Sequence, residues 1–344
     1  MREIGLSRRG VLGAAALLAA PAIRPARAAE QCVVGTWGGD YARLLRENID
    51  DPILKPAGID VVQDISDAAQ RVAKLYAQKK LLRGSQDISC LGAVDGYRVN
   101  GAGLVENLAE KQVPNLQHVV EDLRMPGFVP HIHSAQVLVY NPDTVKEPPK
   151  TMGDLLAPKW KGKIGMVATT GQWLLQAASL HESGTTTDFD KAKALMLKID
   201  ANGLRLYSET DTLAPAFNSG EIEVAMIWLA RSFMWRNAGF PVAGTFPTEG
   251  SILYVSATVM PKNAPDKEAA YRYMNALLEP AAQQGFAAHQ GYLPTVDNAP
   301  LSGAVGEQLA FPQPKPRLVT PDYPVLSKAL PELNEWWLKN IQHR

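Results

Sequence analysis

Short apolar runs alternate along the chain with stretches whose apolar positions recur at helical spacing. Val33 to Trp37 is a strand-like run that ends in Gly38-Gly39, and Tyr41, Leu44, Leu45, Asn48 and Ile49 then recur on one helix face. Ile59 to Ile65 reads as a second strand. Asp67 opens a helix with Ala68, Val72, Leu75 and Tyr76 on one face, and Asp87 to Leu91 is a third strand. Strand–helix–strand–helix–strand implies parallel pairing in a doubly wound sheet. A second unit of the same kind begins near residue 134, with strands at 135–140, 163–167, 205–207, 223–228 and 254–260. Helical positions fall at 172–181, 189–199 and 213–217 between them, then on Ala269, Ala270, Tyr273, Met274, Leu277 and Leu278. The last helix is expected to start at Pro331, a first-turn proline. The fold class is therefore α/β, with two doubly wound units.

Composition fits that picture. The chain has 344 residues, 46% of them apolar and 20% charged, enough for the cores of about two domains. Basic and acidic residues balance at 35 each, and nothing in their distribution points to nucleic acid. Residues 1–28 read as an export signal. Arg2, Arg8 and Arg9 precede an apolar run from Val11 to Ala20, and Ala26-Arg27-Ala28 is a small-residue cleavage site. Ser7-Arg8-Arg9-Gly10-Val11-Leu12 is a twin-arginine pattern, which predicts a periplasmic protein. Its removal takes five of the 35 basic residues and one of the 35 acidic ones, leaving a net charge near −4.

Enzyme signatures are missing: the chain has no Gly-x-Ser-x-Gly elbow, no phosphate-binding Walker loop and no His-Glu-x-x-His. No catalytic residue, metal or cofactor is expected. His131 and His133 would face one side of a strand, but no local acid or cysteine completes a metal site, so packed or solvated histidines are expected. Cys32 begins its strand and Cys90 ends its own. In parallel neighbours, four residues of offset at about 3.3 Å each separate them by roughly 13 Å, too far for a disulfide.

Aromatic residues gather at strand ends. Trp37 and Trp228 close their strands, Tyr254 sits in Ile252-Leu253-Tyr254-Val255-Ser256, and Tyr292 in Gln290-Gly291-Tyr292-Leu293. Ligands of open α/β sheets bind outside the carboxyl ends of strands, so these rings suggest a lined pocket.

Several patterns, in order along the chain, resemble the polyamine-type (spermidine/putrescine-like) periplasmic binding proteins of ABC importers. They are Thr36-Trp37-Gly38-Gly39, Trp160-Lys161-Gly162-Lys163-Ile164, the run from Asn218 to Trp228, Pro247-Thr248-Glu249-Gly250, Pro261-Lys262-Asn263-Ala264 and Gly291-Tyr292-Leu293-Pro294-Thr295. The resemblance implies two α/β lobes joined by crossing strands, with ligand bound between them and hinge closure. One lobe would hold residues 30–133 and 257–303, the other 134–256 and 304–344, with crossings near Gln136 and Thr258. It implies a monomer that binds a small solute and delivers it to a membrane permease. It also makes Trp37, Trp228, Tyr254 and Tyr292 the aromatic box that holds the solute.

The chain departs from the polyamine pattern where acids are expected. Ser256 stands at one such position, and Thr169, Thr170 and Trp173 at others. A dication without carboxylates is costly to bury. The replacements suit an anion: Thr169-Thr170-Gly171-Gln172 and Gly38-Gly39-Asp40 both open helices. Arg231 or Arg205 could clamp a carboxylate, and Asp40 and Asp211 remain for one amino group. The expected solute is therefore a carboxylate-bearing small molecule such as an amino acid or ω-amino acid. A true putrescine or spermidine binder and a two-lobed periplasmic enzyme are the alternatives.

Overall fold

A computed structural model describes residues 30–342, so the expected export signal lies outside the described residues. The first unit runs β1 (Glu30–Thr36), α1 (Gly39–Leu45), β2 (Ile59–Ile65), α2 (Ala68–Gln78), β3 (Ile88–Gly92) and α3 (Ala93–Gly101). Both β2 and β3 pair with β1 in parallel, as the alternating pattern predicts. Asp67 caps α2 in a capping box with Gln70, which fixes where that helix begins. A π-helical turn over residues 46–54 continues α1.

The long strand β4 (Val129–Tyr140) leads into β5 (Ile164–Val167), α4 (Gly171–Ser183), α5 (Phe189–Ala201), β6 (Arg205–Tyr207), α6 (Thr210–Asn218), β7 (Val224–Trp228), α7 (Leu229–Asn237), β8 (Ala243–Thr245) and β9 (Ser251–Val259). The chain ends through α8 (Lys267–Leu277), α9 (Pro280–Gln290), β10 (Leu293–Pro294), α10 (Gly303–Leu309), β11 (Leu318–Val319) and α11 (Tyr323–Trp337). The principal strand order is β2-β1-β3-β9-β4-β7-β5-β6. Parallel strands thus flank a central antiparallel pair, β9 and β4, that belongs to both halves of a two-lobed α/β fold.

The handover between halves is visible in the register. On β4, Val129 to Ala135 pair with β9, whereas Gln136 to Tyr140 pair with β7. On β9, Ser256 to Val259 pair with β3, so Thr258 lies opposite Cys90 inside the first half. The neighbour of β4 thus changes at Gln136, and β9 gains β3 as a neighbour from Ser256 onward.

Both halves bury continuous apolar faces. Cys32, Val34, Leu44, Leu45, Ile49, Ile88, Tyr273 and Phe286 are among the fully buried residues of the first. Each such large side chain contributes about 1.5–3 kcal/mol relative to exposure. Cys32 and Cys90 are free and buried, as expected. Gly35 pairs with Ser89, so Cys90 follows one residue later, beside Thr36, well along the strand from Cys32.

One helix start differs from expectation. α11 begins at Tyr323, not Pro331: Asp322 accepts the Val325 N–H and Pro324 occupies the first turn. Pro331 lies inside that helix, where it forfeits a single intrahelical bond.

Candidate functional site

A cavity of about 480 Å³ opens between the two halves, lined by the β1–α1 junction, β4, the β6–α6 junction, α7, β9 and the α9–β10 junction. Trp37, Gly38, Gly39, Asp40 and Tyr41 form one wall. Glu209, Asp211 and Arg231 form the opposite one, with Tyr254, Gln290, Tyr292 and Ile132 between.

Local structure places each group. β1 ends at Thr36, so Trp37 and the glycines fall at the strand's carboxyl end, before α1. Arg231 lies in the first turn of α7, directly after β7, and the Ser134 hydroxyl on β4 accepts the Ala230 N–H at 3.2 Å to fix that turn. Gly291 ends α9 in a left-handed conformation (φ 67°), and a Cβ there would meet the Phe233 ring at 2.6 Å. Only glycine fits, and the turn delivers Tyr292 into the cavity just before Leu293 pairs with His133.

The four aromatics expected from sequence are all near the cavity, in unequal roles. Trp37, Tyr254 and Tyr292 line it, and Tyr254 and Tyr292 sit 6.1 Å apart. Trp228 is buried behind Tyr254, its ring 4.9 Å away. Trp173 packs on Trp228 at 5.3 Å and adds an aromatic that sequence reading counted only as a lost acid. Burial pushes the Tyr254 and Tyr292 phenols up, so both stay neutral. Ser256 is fully buried beside the Tyr41 and Tyr254 phenols and is not part of the cavity lining.

The charged groups divide. Arg231 lines the cavity, and its guanidinium stands 3.8 Å from Asp211. Its buried Nε has no partner among the described residues. Asp40 is at the rim and pairs with Arg43 at 3.2 Å. Glu209, which sequence reading missed, lies at the carboxyl end of β6, where the strand-end rule would have found it.

Arg205 does not reach this cavity. It is exposed on β6, donates to the Gly162 carbonyl at 3.0 Å and pairs with Glu221 at 3.1 Å. The helix start at α4 also stands apart. Thr169 is exposed, and the buried Thr170 hydroxyl donates back to the Val167 carbonyl at 2.8 Å. Gln172 faces a small adjoining cavity shared with Trp173, Tyr254 and Tyr323, its Oε1 unpartnered.

Of the histidines, His131 is fully buried and bonded to the Tyr41 hydroxyl at 2.8 Å, and burial lowers it to about 3. Burial likewise lowers His133 to about 4. Among the described residues no three His, Cys, Asp or Glu side chains cluster as metal ligands, and no helix is long and apolar enough to cross a membrane.

The fold and this interlobe cavity define a two-lobed binding protein. The chain belongs to the bacterial extracellular solute-binding proteins, whose family profile matches residues 52–313. It is 26% identical to the spermidine/putrescine-binding periplasmic protein of Escherichia coli (strain K12) over 258 residues, 69% of this chain and 71% of that protein. Among solved structures it is similar to a GABA receptor, with TM-score 0.80, 20% identity and coverage of 92% of this chain and 99% of that one. A spermidine/putrescine ABC transporter substrate-binding protein from Streptococcus pneumoniae aligns with TM-score 0.71 and 18% identity, over 90% and 99% of the two chains. The resemblance to polyamine-type binding proteins is thereby borne out, and the family is one of transport proteins.

Proposed function

We propose that this protein captures a carboxylate-bearing small solute, of ω-amino acid type, in the cavity beside Arg231 and presents it to the membrane permease of an ABC importer. The observation that carries this reading is the Arg231 guanidinium, which lines an aromatic cavity with a buried, unpartnered Nε. The side chain is 26% exposed, so its accessible amino groups would donate charge-assisted hydrogen bonds to a ligand carboxylate. Glu209 and Asp211 lie in the same wall and would take an amino group, while Trp37, Tyr254 and Tyr292 cover the carbon chain. GABA, named for one structural neighbour, is such an ω-amino acid, and this supports the reading.

In this proposal residues 30–133 with 257–303 and residues 134–256 with 304–344 act as the moving lobes of a monomer. The twin-arginine segment exports the chain to the periplasm, where the relatives work. Of the α4 helix start, only Gln172 borders the adjoining cavity at Tyr254, and Thr169 and Thr170 take no part in this proposal.

Three rim acids, Asp40, Glu209 and Asp211, favour a second reading: a diamine such as putrescine, the class named for the Escherichia coli relative. A thermal-shift screen of the mature protein against amines, amino acids and organic acids separates the two. A ligand at 100 times its dissociation constant adds about 2.7 kcal/mol of stability. Stabilisation by ω-amino acids supports the first reading; stabilisation by diamines alone supports the second.

A further inference from the structure

The Trp37 ring does not stand alone: the Arg71 guanidinium lies 4.5 Å from its centroid. Arg71 is fully buried on α2. Its Nε donates to the Cys90 carbonyl at 2.8 Å, and its Nη1 donates to the Ser66 carbonyl. Its Nη2 has no partner among the described residues. No carboxylate lies within ion-pair distance of it there, because the nearby acids are committed elsewhere. Asp64 binds Lys74 and Gln86, Asp67 caps α2, and Asp95 pairs with Arg98. The fold makes room for this cation. A Cβ on Gly35 would meet the Gln86 amide at 2.5 Å and Arg71 Cδ at 2.9 Å, so glycine at this position lets the side chain pass.

A buried guanidinium held by two carbonyls and an indole is costly unless its charge is used. An aromatic face attracts a cation through its quadrupole, and Trp37 already has one cation against it. A second cation on the cavity side of the same ring would lie within roughly 8 Å of Arg71, across a medium of low dielectric. We infer that Arg71 is a specificity-determining residue: its charge behind Trp37 bars ligand ammonium groups from the Trp37 wall and leaves that wall to the apolar or anionic part of the solute. This deepens the reading of the cavity as a carboxylate site and rests on Trp37 contacting the solute. In a protein whose relatives are named for polyamines, it is a device that discriminates against a second ammonium.

The test compares putrescine and γ-aminobutyrate as probes, by titration calorimetry of the mature protein and of Arg71→Met and Arg71→Gln. Both variants remove the charge, and Gln keeps an amide donor for the Cys90 carbonyl. The expected result is a rise of about tenfold in putrescine affinity relative to γ-aminobutyrate in the neutral variants. A merely structural role for Arg71 would weaken both probes together and leave that ratio unchanged, so the ratio itself separates the two. An unchanged ratio in folded Arg71→Met or Arg71→Gln overturns the inference. If the unsubstituted protein prefers putrescine and the neutral variants bind it tighter still, the carboxylate reading fails while the role of Arg71 stands.

Discussion

Arg231 approaches Asp211 to 3.8 Å, too far for a close hydrogen-bonded pair, while its Nε stays buried without a partner. Asp211 itself is 89% exposed, so the pair is loosely held and open to exchange. A ligand carboxylate would displace water from the arginine at little cost to Asp211. Replacing Arg231 by Ala should therefore lower affinity for the carboxylate ligand by roughly tenfold to over a hundredfold, the loss of about 1.5–3 kcal/mol. Arg205→Ala, which removes an exposed pair with Glu221, should leave affinity within about twofold. Calorimetric titration of the two variants side by side checks both expectations.

Gly291 controls the placement of Tyr292. Its φ of 67° and the 2.6 Å approach of the Phe233 ring to a built Cβ make Gly291→Ala strained on two counts. The substitution should destabilise the protein by about 1–3 kcal/mol. It should also weaken ligand binding, because Tyr292 shifts with the turn. Denaturant unfolding measures the first effect and titration the second.

The thiols give an independent check on the first sheet. Burial pushes Cys90 up to about 11 and raises Cys32 well above the ordinary thiol value. Reaction requires the thiolate, so both should resist thiol reagents in the native protein. Under denaturing, non-reducing conditions two free groups per chain should react; finding none would contradict the parallel register of β1 and β3.

Acid should weaken the fold through its buried imidazoles. His131 sits near 3 and His133 near 4 when folded, against about 6.5 when unfolded. The unfolded chain therefore binds more protons between those values, and stability present above about pH 6.5 falls as pH drops through that window. Asp50 acts oppositely. Burial raises it to about 6, so its proton favours the fold as pH falls from 6 toward its ordinary value of 3.8. His131→Gln should flatten the acid limb of stability against pH, and Asp50→Asn should stabilise the protein chiefly above pH 6. Urea unfolding across pH 4–8 reads both slopes.

Much of this architecture was legible in the chain because its strands are short, β-branched and bounded by Gly, Pro or Asp. The run Ile59 to Ile65, with Ile59, Val61, Val62 and Ile65 set between Gly58 and Asp67, shows this directly. Trp37, Tyr254 and Tyr292 were legible as pocket residues because strand ends point at the cleft. Arg205 falls outside the cavity for a physical reason. It sits at the start of β6, so it belongs to the opposite end of the strand from Glu209, and Glu221 holds it at the surface. The Thr170 hydroxyl is engaged elsewhere because, in a tight turn, it bonds its own backbone first. Arg71 carried no signal at all: a basic residue on an amphipathic helix reads as solvated until the packing of α2 on β3 buries it.

The central claim is that the cavity selects a carboxylate, and direct titration of the mature protein tests it most simply. With γ-aminobutyrate and related ω-amino acids, heat should be released with micromolar or tighter affinity, and that affinity should collapse in Arg231→Ala. Micromolar binding of putrescine or spermidine with no response to any carboxylate would contradict the account and transfer the neutralising role to Asp40, Glu209 and Asp211.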